Sequence, residues 1–313
     1  MKKVYSGIGG QAVLEGIMMK NKNKYSIACR LNDGSIKSIE NDCISISEKY
    51  KINKIPFLRG VFMFIESMIL GYKTLTLSAS FMEDDIEEKP SKFEVFIEKK
   101  LNKKFFNILM GITTIFSILI AIIIFMLLPA FISSLFLFFT NNSFFIAFIE
   151  GIIRIILFIS YIKAISKMKE IKRTFEYHGA EHKCINCIEN GLDLNVENVL
   201  KSSKEHKRCG TSFVVIVMII SIFFFMFIPT NTLLVKFVSR LLFIPLIAGI
   251  SYEILRFAGK FNNKFVDFIS KPGMWMQGLT TYEPDKYEVE VAICAVEKVF
   301  DWKKFKEDNF YDL

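Results

Sequence analysis

The chain has 313 residues, 52% of them apolar and 33 of them Phe, with a formal net charge of +8. That is too apolar for an ordinary soluble domain and points to a membrane bundle joined to a smaller polar part. Lys and Arg gather beside the apolar segments, as membrane orientation requires, and no recognition module is visible, so no nucleic-acid partner is expected.

The start, Met1 to Gly7, is charged but leads into neither an apolar core nor a cleavage site, so it does not read as a signal peptide. Residues 1–56 read as a cytosolic, β-rich region. Tyr25 to Leu31 and Ser35 to Glu40 form a hairpin about Asn32-Asp33-Gly34, and Cys43 to Ser47 adds a third strand. The glycine-rich run Gly7 to Gly16 matches neither a Rossmann fingerprint nor a P-loop, and close backbone approach is the expected reason for its glycines. Glu15, within it, is a candidate carboxylate ligand. Cys29, Cys43, Cys184, Cys187, Cys209 and Cys294 all fall in segments expected in the cytosol, so they should be reduced.

Residues 57–104 read as an amphipathic helix and a linker. Arg59, Glu66 and Lys73 recur every seven residues and share one helix face. The helix lies on the membrane, packs against the bundle, or belongs to the core of the soluble part. Residues 83–104, with Pro90, read as a linker running into a surface helix. From Phe105 to Ile149 no residue is charged, which is too long for one span of about 20 residues. Residues 105–163 therefore form a transmembrane hairpin, with spans at 107–133 and 144–163 turning at Thr140 to Ser143. Residues 164–210 form a cytosolic loop. Residues 211–256 form a second hairpin, with spans at 211–229 and 234–255 around Pro229 to Thr232. In the cytosolic region 257–313, Lys271-Pro272-Gly273 breaks any helix and Gln277 to Pro284 is a loop. Val289, Ile293, Val296 and Phe300 then mark an amphipathic helix.

Orientation follows from the basic residues. Lys99, Lys100, Lys103 and Lys104 precede the first span, and Lys163, Lys167, Lys169, Lys172, Arg173, Lys201, Lys204, Lys207 and Arg208 fill the middle loop, while the two turns have none. A multi-pass protein of the cell membrane with both termini cytosolic is expected. Lys236 and Arg240 run against this and must snorkel outward or face the bundle interior. Glu150 and Arg154, four apart within the second span, read as a structural ion pair or as a polar path. Glu253 and Arg256 read as a boundary salt bridge.

The polar middle loop carries the chemistry. His178, Glu181 and His182 form H-x-x-E-H, the inverted zincin pattern. On a helix the two imidazoles share a face and can share a metal, with Glu181 as the base. Gly179 weakens the helix this needs, and the alternative is a polar turn whose histidines meet lipid phosphate or backbone. Cys184-x-x-Cys187 followed by His206-x-x-Cys209 offers a second reading, a closed four-ligand zinc site. A third is one mixed site of His178, His182, His206 and Cys209.

Several stretches together resemble one family: Gly9 to Met19, Pro56 to Gly60, Tyr177 to Lys183, Arg208 to Phe213, Tyr252-Glu253, Arg256, Pro272-Gly273 and Gln277 to Pro284. They cover nearly the whole chain, in order, and are similar to the YqhQ-like family of bacterial polytopic membrane proteins. That family is of unknown function and is described as predicted metal-dependent enzymes. The resemblance implies a site drawn from His178, Glu181, His182, His206 and Cys209, extended by Glu15 and Glu283. Cys184 and Cys187 lie outside its pattern, which favours the histidines.

The expected fold is a mostly α membrane protein. Four transmembrane helices in two hairpins carry a cytosolic α+β assembly of the N-terminal region, middle loop and C-terminal tail. The expected function is a metal-dependent membrane enzyme, a hydrolase, with its site at the cytosolic face and a divalent metal, zinc by its donors. His178 and His182 are ligands, His206 or Cys209 is the third, and Glu181 is the base. The alternative is a non-enzymatic scaffold or assembly factor for membrane-protein biogenesis or envelope upkeep. A transporter using Glu150 and Arg154 is a third reading. The bilayer, a protein at the cytosolic face and a second copy of the chain are the expected partners.

Overall fold

The computed structural model describes residues 3–45, 47, 50, 52–83, 103–228, 232–260 and 264–310. It is mostly helical, with one small antiparallel sheet. Contacts divide the chain into two units. The first is Met1–Asp85, Ile162–Ile220 and Phe243–Leu313; the second is Ile86–Tyr161 and Ser221–Leu242.

The sheet belongs to the first unit and runs β1 (Gly9–Val13), β2 (Gly16–Asn21), β3 (Lys24–Arg30) and β4 (Ile36–Asp42), in that order. The β3–β4 hairpin lies where the turn residues put it, with Gly34 at φ 85°. The expected strand at Cys43 to Ser47 is not formed among the described residues. Glu66 instead takes the Ser47 amide at 2.7 Å and the Ser45 hydroxyl at 2.9 Å, so that backbone is bonded to a side chain. The other hairpin comes from the glycine-rich run, with Val13 paired to Gly16. At Gly16 a Cβ would collide with the Ala28 carbonyl of the neighbouring strand, which is the close approach expected of these glycines.

Alternation along the strands gives the sheet two buried faces. Ile17, Met19 and Ala28 pack with Tyr177, Ala180, Cys184 and Ile188 of α5 (Lys169–Glu189) and with Val289, Ala292 and Val296 of α10 (Lys286–Val299). Met18, Tyr25, Ile27 and Cys29 pack on the other side with Leu70 and Phe81 of α1 (Leu58–Glu83). The helix–sheet–helix layering buries apolar surface on both sides of a four-stranded sheet, which a lone hairpin could not do.

The seven-residue spacing on α1 resolves into three contacts. Arg59 pairs with Glu253, Glu66 holds Ser45 and Ser47, and Lys73 sits over the Tyr25 ring at 5.6 Å. Met68, on the opposite side of the helix, is 61% exposed.

The remaining helices are α2 (Lys103–Ile122), which passes through a π turn into α3 (Leu128–Ser134), then α4 (Ser143–Ile165), α6 (Val196–Lys201), α7 (Gly210–Met226), α8 (Leu233–Lys260), α9 (Lys264–Thr280) and α11 (Trp302–Phe310). The Asn142 carboxamide caps α4 by accepting from the Phe144 and Phe145 amides. Among the described residues, four helical stretches are long and apolar enough to cross a membrane: Leu58–Met82, Gly111–Phe138, Ser143–Ile165 and Leu234–Gly259. Three of these fall where spans were expected and Leu58–Met82 adds another candidate, while the expected span 211–229 is described as an apolar helix of 17 residues, Gly210–Met226. The expected linker falls mainly at 84–102, outside the described residues, as does the turn at 229–231.

Two further corrections concern α9 and its surroundings. Lys271-Pro272-Gly273 does not break it, and Gln277 to Thr280 are its last turn, not loop. A Cβ on Gly273 would stand 2.6 Å from the Ser212 Cβ, so the glycine lets α9 press against the start of α7.

In the second unit, Glu150 is fully buried. Its Oε1 accepts from Arg154 at 3.1 Å and pairs with Arg240, while Ser221 takes the other Arg154 nitrogen at 3.3 Å. Arg240 thus faces inward, as one of its two expected placements required.

Candidate metal centre

The site is built where α5, the 202–209 segment and the ends of α9 and α7 meet, all in the first unit. α5 runs unbroken through Gly179, so the expected weakening does not break it. A Cβ at Gly179 would collide with the Tyr282 carbonyl, and the Tyr282 amide donates to the Phe175 carbonyl at 3.0 Å. Gly179 therefore lets the segment after α9 lie against α5.

One turn apart on α5, the His178 and His182 rings have centroids 4.4 Å apart. His178 Nδ1 lies 2.9 Å from the Thr280 carbonyl oxygen, and His182 Nδ1 lies 2.6 Å from that of Lys204. A carbonyl can only accept, so both Nδ1 atoms carry the proton and both Nε2 atoms are left as lone-pair donors. His178 Nε2 is 3.2 Å from Cys209 Sγ, and one donor atom from each of His178, His182 and Cys209 lies within 4.8 Å of the others. For comparison, N and S ligands of one tetrahedral zinc are separated by about 3.5 Å, given the usual bond lengths.

Cys209 sits at the N-cap of α7, with its carbonyl taking the Phe213 amide at 3.3 Å. The Thr211 amide points at Sγ at 3.4 Å, and the Thr211 hydroxyl is 3.1 Å away.

The 202–209 segment has little secondary structure, yet it is tied down. The Gln277 carboxamide accepts from the His206 amide at 2.8 Å and donates to the His206 carbonyl at 2.7 Å and to the Ser212 hydroxyl at 2.9 Å. Asn186 donates to the carbonyls of Ser203 and Glu205, and Lys183 to those of Leu200 and Ser202. These bonds place the Lys204 carbonyl and Cys209. Sequence reasoning missed Gln277, Thr280 and Lys204 in this role.

Glu181 is buried beside the first strand. Burial raises its carboxyl to about 6, against the opposing pull of His178 and the Gly10 amide. A Cβ on Gly10 would stand 2.9 Å from Glu181 Cγ, so the glycine makes room for the carboxylate.

The structure does not bring every sequence-predicted residue to this point. The His206 ring lies 5.5 Å from that of His182, but its Nε2 is 3.2 Å from the Arg208 guanidinium and 3.6 Å from Glu189. Its imidazole is bonded elsewhere and does not join the three donors. Burial lowers His206 to about 4. Burial alone would raise Glu189, yet the neighbouring His206 and Arg208 outweigh it and hold Glu189 at about 2.

The four-ligand reading with Cys184 and Cys187 fails on placement. Both thiols lie in the apolar cluster under the sheet, and Cys187 donates to the Asp193 carbonyl. Burial pushes Cys184 well above the usual thiol range and Cys187 to about 11. Glu15 pairs with Arg173, and Glu283 with Lys183 at 2.9 Å and Lys204 at 3.5 Å, so neither belongs to the donor cluster. Glu253 pairs with Arg59.

A family profile described as "Protein of unknown function (DUF1385)" matches residues 55–302. The chain is 36% identical over 315 residues to the "Uncharacterized protein YqhQ" of Bacillus subtilis (strain 168), covering 98% of this chain and 96% of that protein. No solved structure matches the chain.

Proposed function

The chain belongs to the DUF1385 family, and from that premise we propose that it is an integral protein of the cell membrane with a divalent-metal centre on its cytosolic side. His178, His182 and Cys209 would hold the metal, and the imidazole–thiolate donor set suits zinc. The observation that carries this reading is the pair of backbone carbonyls, Thr280 and Lys204, that take the Nδ1 protons of both histidines. Such outer partners fix the tautomer and aim the free nitrogens, as they do around ligating histidines generally.

Three protein donors is the number found in catalytic zinc sites, whereas structural sites close with four. A bound cation would supply a Lewis acid. Glu181 lies one helical turn from His178, buried, with its carboxyl near 6. A carboxyl poised there can take and return a proton near neutral pH, which suits a general base in hydrolysis. The lipid bilayer is the medium for the apolar helices. The basic segments flanking them support cytosolic termini. A protein partner at the cytosolic face and self-association both fit this reading.

Elemental analysis of the purified chain tests it. One equivalent of zinc or another divalent metal in the wild type, lost in H178A and in C209S, is the expected result. A metal-free wild type that stays metal-free after incubation with zinc would sink the proposal.

A further inference from the structure

The second unit contains a cavity of about 270 Å³, near the lower end of the range for small-ligand sites. Its lining includes Glu150, Lys236 and Arg240 together with the hydroxyls of Ser143, Thr232 and Ser239. It lies where α4 and α8 begin.

The charges around it do not balance. Among the described residues of this unit, Glu150 is the single carboxylate. Its Oε1 is shared by Arg154 and Arg240. Lys236 lines the same cavity and has no ion pair within 4.0 Å among the described residues. Three cations therefore face one anion. In a lipid-embedded helix such charges are expensive unless paired or facing a polar cavity. Surface attraction does not explain Arg240, which is 6% exposed. The cavity also offers a hydroxyl: Thr232 Oγ1 accepts from the Val235 amide at 3.3 Å, which leaves its own hydrogen to donate.

We propose that this cavity binds a phosphate-bearing anion, held by Lys236 and Arg240. Arginine and lysine are the side chains that proteins set against phosphate oxygens. The phosphate can belong to a lipid headgroup or be free in solution, and the chemistry of the site is the same for both. The inference rests on the membrane-spanning part of the reading above, and it is independent of the metal centre.

The test uses the full chain in nanodiscs of phosphatidylglycerol or of phosphatidylcholine, followed by native mass spectrometry to count retained lipid. For a lipid ligand, phosphatidylglycerol is retained preferentially. K236Q should weaken retention about fivefold, the worth of one lysine charge against an acidic headgroup, and K236R should restore it. For a free ligand, inorganic phosphate should raise the thermal midpoint of the wild type in phosphatidylcholine discs and leave that of K236Q unmoved. Added salt should weaken either form of binding in the unaltered chain, so the idea does not depend on K236Q folding. Lipid retention and phosphate response that are both blind to charge at position 236 and to salt would overturn it. Failure of the chain to partition into membranes at all would instead sink the membrane reading.

Discussion

Gly179 is seated against the carbonyl oxygen of Tyr282 so closely that a Cβ would collide with it. The glycine is in the middle of α5, between His178 and the rest of the H-x-x-E-H motif, where helix propensity alone argues against it. Because the obstacle is backbone, it cannot turn aside as a side-chain tip could. G179A should therefore destabilise the chain by about 1–3 kcal/mol despite alanine's better helix propensity. It should also lower metal content, since the displaced segment follows Thr280, the partner of His178. Thermal unfolding and elemental analysis of G179A check both, and a variant as stable and as metal-rich as the wild type would refute the packing argument.

Gln277 is fully buried and makes three hydrogen bonds, two of them to the backbone of His206. Q277A would strand a buried N–H and a buried C=O, each worth about 1–3 kcal/mol when left unsatisfied. The variant should unfold at markedly lower temperature. Because Gln277 positions Cys209 without being a donor to the metal, it should also bind metal about 10–100-fold more weakly, the usual loss for an outer partner. Competition against a chromogenic chelator measures the second effect separately from the first.

How much of this was legible in the chain depends on what each feature is made of. The histidine spacing and the alternation at Tyr25 to Glu40 are local, and both are visible in the letters. The first hairpin was not, because Gly9 to Val13 is small and polar and owes its strand state to pairing with β2. The apolar length of the Leu58–Met82 helix was obscured by Arg59, Glu66 and Lys73, which meet Glu253, Ser47 and the Tyr25 ring, contacts no local pattern can announce. The atoms that orient the two imidazoles are main-chain carbonyls, which have no residue signature. Conversely, His206 looked like a ligand because of its residue type, and only Arg208 and Glu189 show where its ring goes.

Glu288 gives a pH signature away from the metal centre. Burial, with the neighbouring Asp285, raises its carboxyl to about 7, although Arg173 at 3.7 Å favours the charged form. An acid whose folded pKa is raised holds its proton more tightly when folded. Its contribution to stability is complete below the unfolded value near 4.5 and is lost as pH rises through about 7. E288Q keeps the carbonyl that accepts the Asp285 amide in the α10 capping box and cannot ionise. The thermal midpoint of the wild type should therefore fall relative to that of E288Q between pH 4.5 and 7.5. Parallel curves would show that folding does not raise the Glu288 pKa.

Metal removal should be felt as lost stability, because the three donors come from α5 and from the N-cap of α7, with His178 and Cys209 31 residues apart in the chain. A cation bound by the folded chain and not by the unfolded one stabilises by an amount set by mass action, about 2.7 kcal/mol at a free concentration one hundred times Kd. Chelator should lower the thermal midpoint of the wild type, and zinc should restore it. H178A and C209S should start at the lower midpoint and respond to neither addition, and their residual zinc affinity should fall by more than the roughly 10–100-fold typical of losing an outer partner. H206A separates this arrangement from a four-donor one. Since the His206 ring is bonded to Arg208 beside Glu189, its removal should lower stability while leaving one equivalent of metal bound. Loss of the metal in H206A would mean that the imidazole had swung into the site and that the three-donor assignment is wrong.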